Sequence, residues 1–244
     1  MGTATASTEA VDRIIEDWPS KTPGQQQHPK ETAEKMRAKY GEPDEATAER
    51  LVWHDNGPWK RTEVYREGTK HRFPIPHIDH LYQYVDYQVP TEKYDDLARF
   101  DGSVHAHRTE GELVATCHKE EANVLAINLA HDVITERKAV EEAREAYATI
   151  NAKLMAGGSP PATQGFLFSL PEGDQRDPDV TVVTDRLGRN RGKLALVALA
   201  AIGVLLAAAR RRRRGGDRST GDRAARPSRT GSRSGGSART RPKR

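Results

Sequence analysis

Between Lys193 and Arg210 the chain runs LALVALAAIGVLLAAA, sixteen residues without a charge. A helix of that composition is apolar on every face, and the polar, arginine-rich sequence around it offers no core for it to enter. It would measure about 24 Å, short of a hydrocarbon layer of about 30 Å. Lys193 at one end, and Arg210, Arg211, Arg212, Arg213 and Arg214 at the other, close the gap by reaching their charges into the headgroups. A single transmembrane helix over 193–210 is therefore expected.

This segment divides the charge of the chain. From Arg210 onward, 35 residues carry 14 Arg or Lys against two Asp, whereas the 209 residues before them carry 25 basic and 33 acidic side chains. The overall +4 thus averages an acidic body and a strongly basic tail. An acidic body repels phosphates, so nucleic acid is not the expected partner. The tail, 211–244, is rich in Gly, Ser and Pro and is expected to be disordered, with anionic lipid headgroups as its natural contact. It has no aromatic residue on which a base could stack.

Arginines are more numerous after the apolar run than before it, which places the tail on the cytoplasmic side by the positive-inside rule. The first 25 residues show neither a basic n-region nor an apolar h-region, so no secretory signal is seen. That second observation is given more weight, and the expectation is a membrane protein whose globular part is cytoplasmic. A lone cysteine, Cys117, excludes an internal disulfide.

Residues 1–28 read as a polar, disordered N-terminal segment with one short helical stretch at EAVDRIIEDW, and 156–192 as a flexible linker. The domain proper is 29–155. Ala33, Met36 and Tyr40 step at helical spacing before Gly41 and Pro43. Asn56-Gly57 between two β-like runs marks a hairpin. LYQYVDYQV reads as a strand, PTEKYDDLARF as a short helix behind its Thr91 cap, and SVHAHR and ELVATCH as a second hairpin. Val140, Ala143, Tyr147, Ile150 and Leu154 form the apolar stripe of a last helix. The expected class is α+β, a mostly antiparallel sheet with packed helices.

Chemistry concentrates in HRFPIPHIDHLYQYVDY, 71–87. In an extended chain His71, His77 and Asp79 share a face and His80 takes the other. Together these four residues, His71, His77, Asp79 and His80, are the candidate ligands for a divalent metal, with nitrogen and oxygen donors. The competing reading is plain polar side chains on an irregular edge strand, because Pro74 and Pro76 remove two amide donors and the spacing matches no established metal signature. Cys117 and His118 suggest a thiol–imidazole pair, but successive strand residues face opposite ways, so they are expected not to meet. The aromatic residues Trp53, Trp59, Tyr65, Tyr82, Tyr84 and Tyr87 read as core before they read as a ligand surface.

The stretch YGEPDEATAERLVWHDNGPWKRTEVYR, continuing through HRFPIPHIDHLYQYVDYQVP and RFDGSVHAHRTEGEL to NLAHDVI, resembles an uncharacterised family of small bacterial proteins over about residues 30–150. That resemblance implies no activity, cofactor or catalytic residue. RLGRNRGKLALVALAAIGVLLAAARRRRR is similar to the C-terminal anchors of actinobacterial membrane proteins. The functional expectation is a membrane-anchored binding or scaffolding protein with a protein or small-molecule ligand, the alternative being a small metal- or histidine-dependent enzyme on the same anchor.

Overall fold

The computed structural model describes residues 7–20 and 28–183. Lys193, Arg210 to Arg214, the span expected over 193–210 and the basic tail all lie outside these residues, and among the described ones no helix is long and apolar enough to cross a membrane.

The class is α+β, as the patterning predicts. Helices α1 (Thr8–Glu16) and α2 (Pro29–Tyr40) lead into strands β1 (Glu45–Ala46), β2 (Arg50–Asn56), β3 (Trp59–His71) and β4 (His77–Asp86). Then come α3 (Tyr94–Phe100), β5 (Val104–His107), β6 (Glu112–Cys117), α4 (Glu120–Ile134) and α5 (Val140–Met155). The six strands form one antiparallel sheet in the order β1-β2-β3-β4-β6-β5.

Asn56 pairs with Trp59, so the first hairpin turns on Gly57 and Pro58, with Gly57 at φ +65°. The turn falls one residue later than Asn56-Gly57 suggests. In the second hairpin His107 pairs with Glu112 across Arg108–Gly111, again with a left-handed glycine at Gly111. β3 and β4 pair from Arg61↔Tyr84 to Val64↔Leu81 and resume at Thr69↔Asp79, the irregularity lying in β3. At that irregularity Gly68 passes so close to β4 that a Cβ on it would sit 2.4 Å from the Ile78 Cγ2 and 2.7 Å from the Asp79 carbonyl oxygen.

Alternation along these strands gives the sheet two unlike faces. Leu51, Val64 and Leu81 are cross-strand partners on one face and are fully buried with Val11, Ile15 and Met36 of α1 and α2. Val85 and Leu113, paired farther along, pack under α3, α4 and α5 with Leu97, Leu125 and Tyr147. The opposite face carries an ionic ladder. Arg61 lies 2.8 Å from Glu63 and 2.7 Å from Glu112 and stacks over the Tyr84 ring at 3.4 Å, while Tyr65 donates its hydroxyl to Glu63 at 2.7 Å.

The packed body is wider than 29–155. On its N-terminal side α1 contributes Val11 and Ile15 to the core, and Trp18 donates to the Ala48 carbonyl at 2.9 Å. After α5 the chain folds back as a strap in which Phe166 meets Trp59 edge-on and Phe168 stacks on His131 at 3.8 Å. Asn128 grips this strap, donating to Ala162 and Gly165 carbonyls and accepting from the Leu167 amide. Composition alone reads this region as linker because its apolar residues are few and irregularly spaced, yet Ala162, Phe166, Phe168 and Leu170 pack on a surface already built.

A buried carboxylate ties the layers together. Glu120, at the start of α4, accepts from Trp59 Nε1 of β3 at 2.7 Å, from the Tyr40 hydroxyl of α2 and from Gln83 of β4 at 3.3 Å, and pairs with Lys39 at 2.6 Å. Burial opposes its charge, but the bonds from Lys39, Tyr40 and Trp59 outweigh that and hold its pKa below the ordinary glutamate value. Removing it leaves a buried indole N–H with no acceptor. Glu120→Ala is expected to lower unfolding stability by about 3 kcal/mol, read as a drop in the urea midpoint at unchanged slope.

Candidate metal centre

The β3–β4 connection builds the site. β3 ends at His71 and β4 begins at His77, and the two residues are cross-strand partners. The intervening Arg72–Pro76 loop, with a cis Phe73–Pro74 peptide, holds both prolines outside the strands. Pro74 and Pro76 therefore do not mark an edge: β4 is an interior strand flanked by β3 and β6. His71 and His77 meet across a hairpin and not along one extended segment, with ring centroids 4.9 Å apart.

Asp79 joins them. Its Oδ1 lies 2.9 Å from His77 Nε2 and its Oδ2 lies 3.3 Å from His71 Nδ1. His80 does not. It is fully buried against α2, its Nε2 2.6 Å from the Thr32 hydroxyl, and it forms no part of either ligand group. It stands apart from the other three candidates, since its side chain meets Thr32 of α2 while those of His77 and Asp79 meet each other.

Two residues that the sequence sets aside complete the cluster. β6 ends at Cys117, so His118 is free of the strict alternation that separates strand neighbours. The Cys117 Sγ and His118 Nδ1 are consequently 3.5 Å apart, and the His118 and His77 rings are 5.1 Å apart. The expectation that Cys117 and His118 cannot meet is overturned by the strand ending between them. Ligand atoms now fall in two groups that share His77: His77, Cys117 and His118, and His71, His77 and Asp79. Within each group the ligand atoms lie within 4.8 Å of one another.

The supporting bonds are those a metal ligand needs. His77 Nδ1 lies 2.8 Å from the Ile75 carbonyl, so this nitrogen carries the proton and Nε2 is the one turned inward. The Ser103 hydroxyl donates to Asp79 Oδ2, which leaves Oδ1 facing His77. Although Oδ1 and Nε2 are only 2.9 Å apart, they are not aligned as a hydrogen bond, and neither has any other hydrogen-bond partner despite being buried. With bonds of about 2.1 Å to a shared ion, that separation subtends roughly 90°. By the same reasoning the 3.5 Å between Cys117 Sγ and His118 Nδ1 subtends about 107°, close to tetrahedral, for Zn–S and Zn–N bonds of about 2.3 and 2.05 Å.

Charge states fit the same use. Burial and the neighbouring His77 pull the His118 pKa down to about 3, so it is a neutral imidazole with a lone pair to give. Burial disfavours a charged His77, yet Asp79 and Cys117 outweigh it and raise the pKa to about 11. A cation is what this position prefers, either a proton or a metal. Asp101, raised to about 6 by burial, lies 3.4 Å from His71 Nε2.

Ser103, His71 and Asp101 also line up in the order of a hydroxyl, base and acid, Ser103 Oγ being 3.0 Å from His71 Nδ1. The hydroxyl proton goes to Asp79, however, and Ser103 is buried, so the serine orients a carboxylate and is not poised to attack a substrate.

The chain matches no protein-family model, no curated protein and no solved structure.

His80 gives the neighbourhood a measurable acid sensitivity. Burial and the proximity of His28 pull its pKa from 6.5 to about 4. The unfolded chain therefore binds the extra proton first, so the contribution is present above pH 6.5 and is lost as pH falls through 4. Over that window His80→Gln is expected to flatten the decline in melting stability by up to about 3 kcal/mol; thermal melts of both proteins across the pH series would show it, and parallel curves would refute it.

Proposed function

We propose that the domain binds a divalent transition metal of the zinc class at His77, with Cys117 and His118 on one side and His71 and Asp79 on the other as the further candidate ligands. The observation that carries this is the His77 imidazole itself: one nitrogen locked on the Ile75 carbonyl, the other buried beside a carboxylate oxygen without a hydrogen-bond alignment between them. Mixed nitrogen, sulfur and oxygen donors suit zinc over calcium or magnesium, which take oxygen shells. Each group offers three donors around a shared His77, and the polar groups beside them, Ser103 and Asp101, orient the ligands.

In the same proposal the domain acts at a membrane, tethered through 193–210 on the cytoplasmic side, with the basic tail against anionic headgroups. Support comes from the uncharged run and its arginine collar. A second reading, a scaffold that binds a protein partner, is favoured by the ionic sheet face, where Arg50, Arg61, Tyr65, Tyr82 and Tyr84 supply the Arg and Tyr enriched at interfaces.

Elemental analysis of the full-length protein purified in detergent tests the metal. One equivalent of zinc or a similar ion is expected, retained through dialysis, absent in His77→Ala and weakened by about ten- to a hundredfold in Ser103→Ala, which removes an outer support. A metal-free wild type, or a His77→Ala variant that keeps its ion, would refute the assignment. Separately, deletion of 193–244 is expected to move the protein from the membrane pellet to the supernatant.

A further inference from the structure

Five side chains offer ligand atoms, more than one zinc-class ion takes in a closed protein site. They differ in access. The His71 side chain is 18% exposed, whereas those of His77 and Asp79 are 3% and 4% exposed. Cys117 and His118 are likewise buried. They differ in chemistry as well. The group that includes His71 offers two imidazoles and a carboxylate, while the group beyond His77 offers two imidazoles and a thiol. A hydrated ion arriving from solvent meets His71 first, and the oxygen and nitrogen donors beside it replace its waters. The thiol comes last, because its group lies behind His77 and has no exposed member.

His77 belongs to both groups, with Nε2 turned toward Asp79 on one side and its ring 5.1 Å from that of His118 on the other. An ion can therefore change partners while remaining on one nitrogen. Resting on the metal-binding proposal above, we infer that the two groups are successive stations for a single ion: His71, His77 and Asp79 capture it at the rim, and it then passes across His77 to Cys117 and His118. Coordination at the first station displaces the proton from His77 Nε2, and arrival at the second displaces the proton from the Cys117 thiol. Both protons leave to solvent, the ion keeps its charge and oxidation state, and nothing is oxidised. His71 on this account governs the rate of loading and not the final hold.

Rapid mixing of metal-free, full-length protein in detergent with cobalt(II) tests the order of events. Loss of free ion is followed with a metallochromic indicator, and ligation of Cys117 by the near-ultraviolet thiolate-to-cobalt charge-transfer band. The ion is expected to leave solution before that band appears. In His71→Gln, uptake slows about tenfold but ends at the wild-type spectrum, and in Cys117→Ser the ion is taken up at the wild-type rate and the band never forms. A band that rises in step with uptake in the wild type overturns the two-station order even if no variant folds, and an unchanged uptake rate in His71→Gln overturns the role of His71. If the wild type takes up no cobalt, the metal-binding proposal falls first and this one with it.

Discussion

The register between β3 and β4 decides whether there is a site at all. With His71 opposite His77 and Thr69 opposite Asp79, three candidate ligands are delivered to one end of the sheet. A slip of one position would send Asp79 to the other face and leave a cluster without its carboxylate. That register is unusual because β3 carries extra residues between Val64 and Thr69, and the strands stay in contact there only because Gly68 has no side chain to collide with Ile78 and the Asp79 backbone. A single glycine at a bulge thus sets where His71, His77 and Asp79 meet.

Around that register the protein uses polar groups to do two different jobs. Glu120 is satisfied on all sides, holding two strands and two helices by bonds that cost little once made. The His77–Asp79 pair is buried to a similar degree but left with an unaligned contact. Buried polar atoms in native proteins are almost always bonded, so the facing, unaligned atoms of His77 and Asp79 contrast with the fully bonded Glu120 carboxylate. On the far face of the sheet Glu63 and Glu112 are each bracketed by cations.

Much of the architecture was legible in the amino-acid order. Alternation and turn residues placed both hairpins, the Val140–Ile150 stripe named the face of α5 that is buried, and the α+β class followed. What escaped were effects of ends. The prolines of FPIP read as edge-strand markers because the pattern cannot show that a loop folds back between two strands. His118 was assigned to the wrong face because alternation holds only inside a strand, and β6 stops one residue earlier. Three of the four candidates on β3 and β4, His71, His77 and Asp79, come together in the structure, whereas Cys117 at the end of β6 and His118 just after it lie 37 residues or more beyond His80. His80, next to Asp79 in sequence, is buried against Thr32 of α2, because neighbours along a strand need not share surroundings. The strap at 160–170 was read as linker because its residues bury themselves against other elements and not among themselves.

The order of the strands has a kinetic side. Four of the five pairings join strands that follow one another in the chain, so each can zip from its own short connection. Only β4 with β6 requires the chain to return over α3 and the β5 hairpin, bringing Leu81 opposite Cys117. Closing that larger loop carries the greatest entropic cost among the strand pairings and is the natural bottleneck in assembling the sheet. It is also the step that first brings the thiol to the histidines, so the two halves of the cluster come together only when the sheet itself is complete.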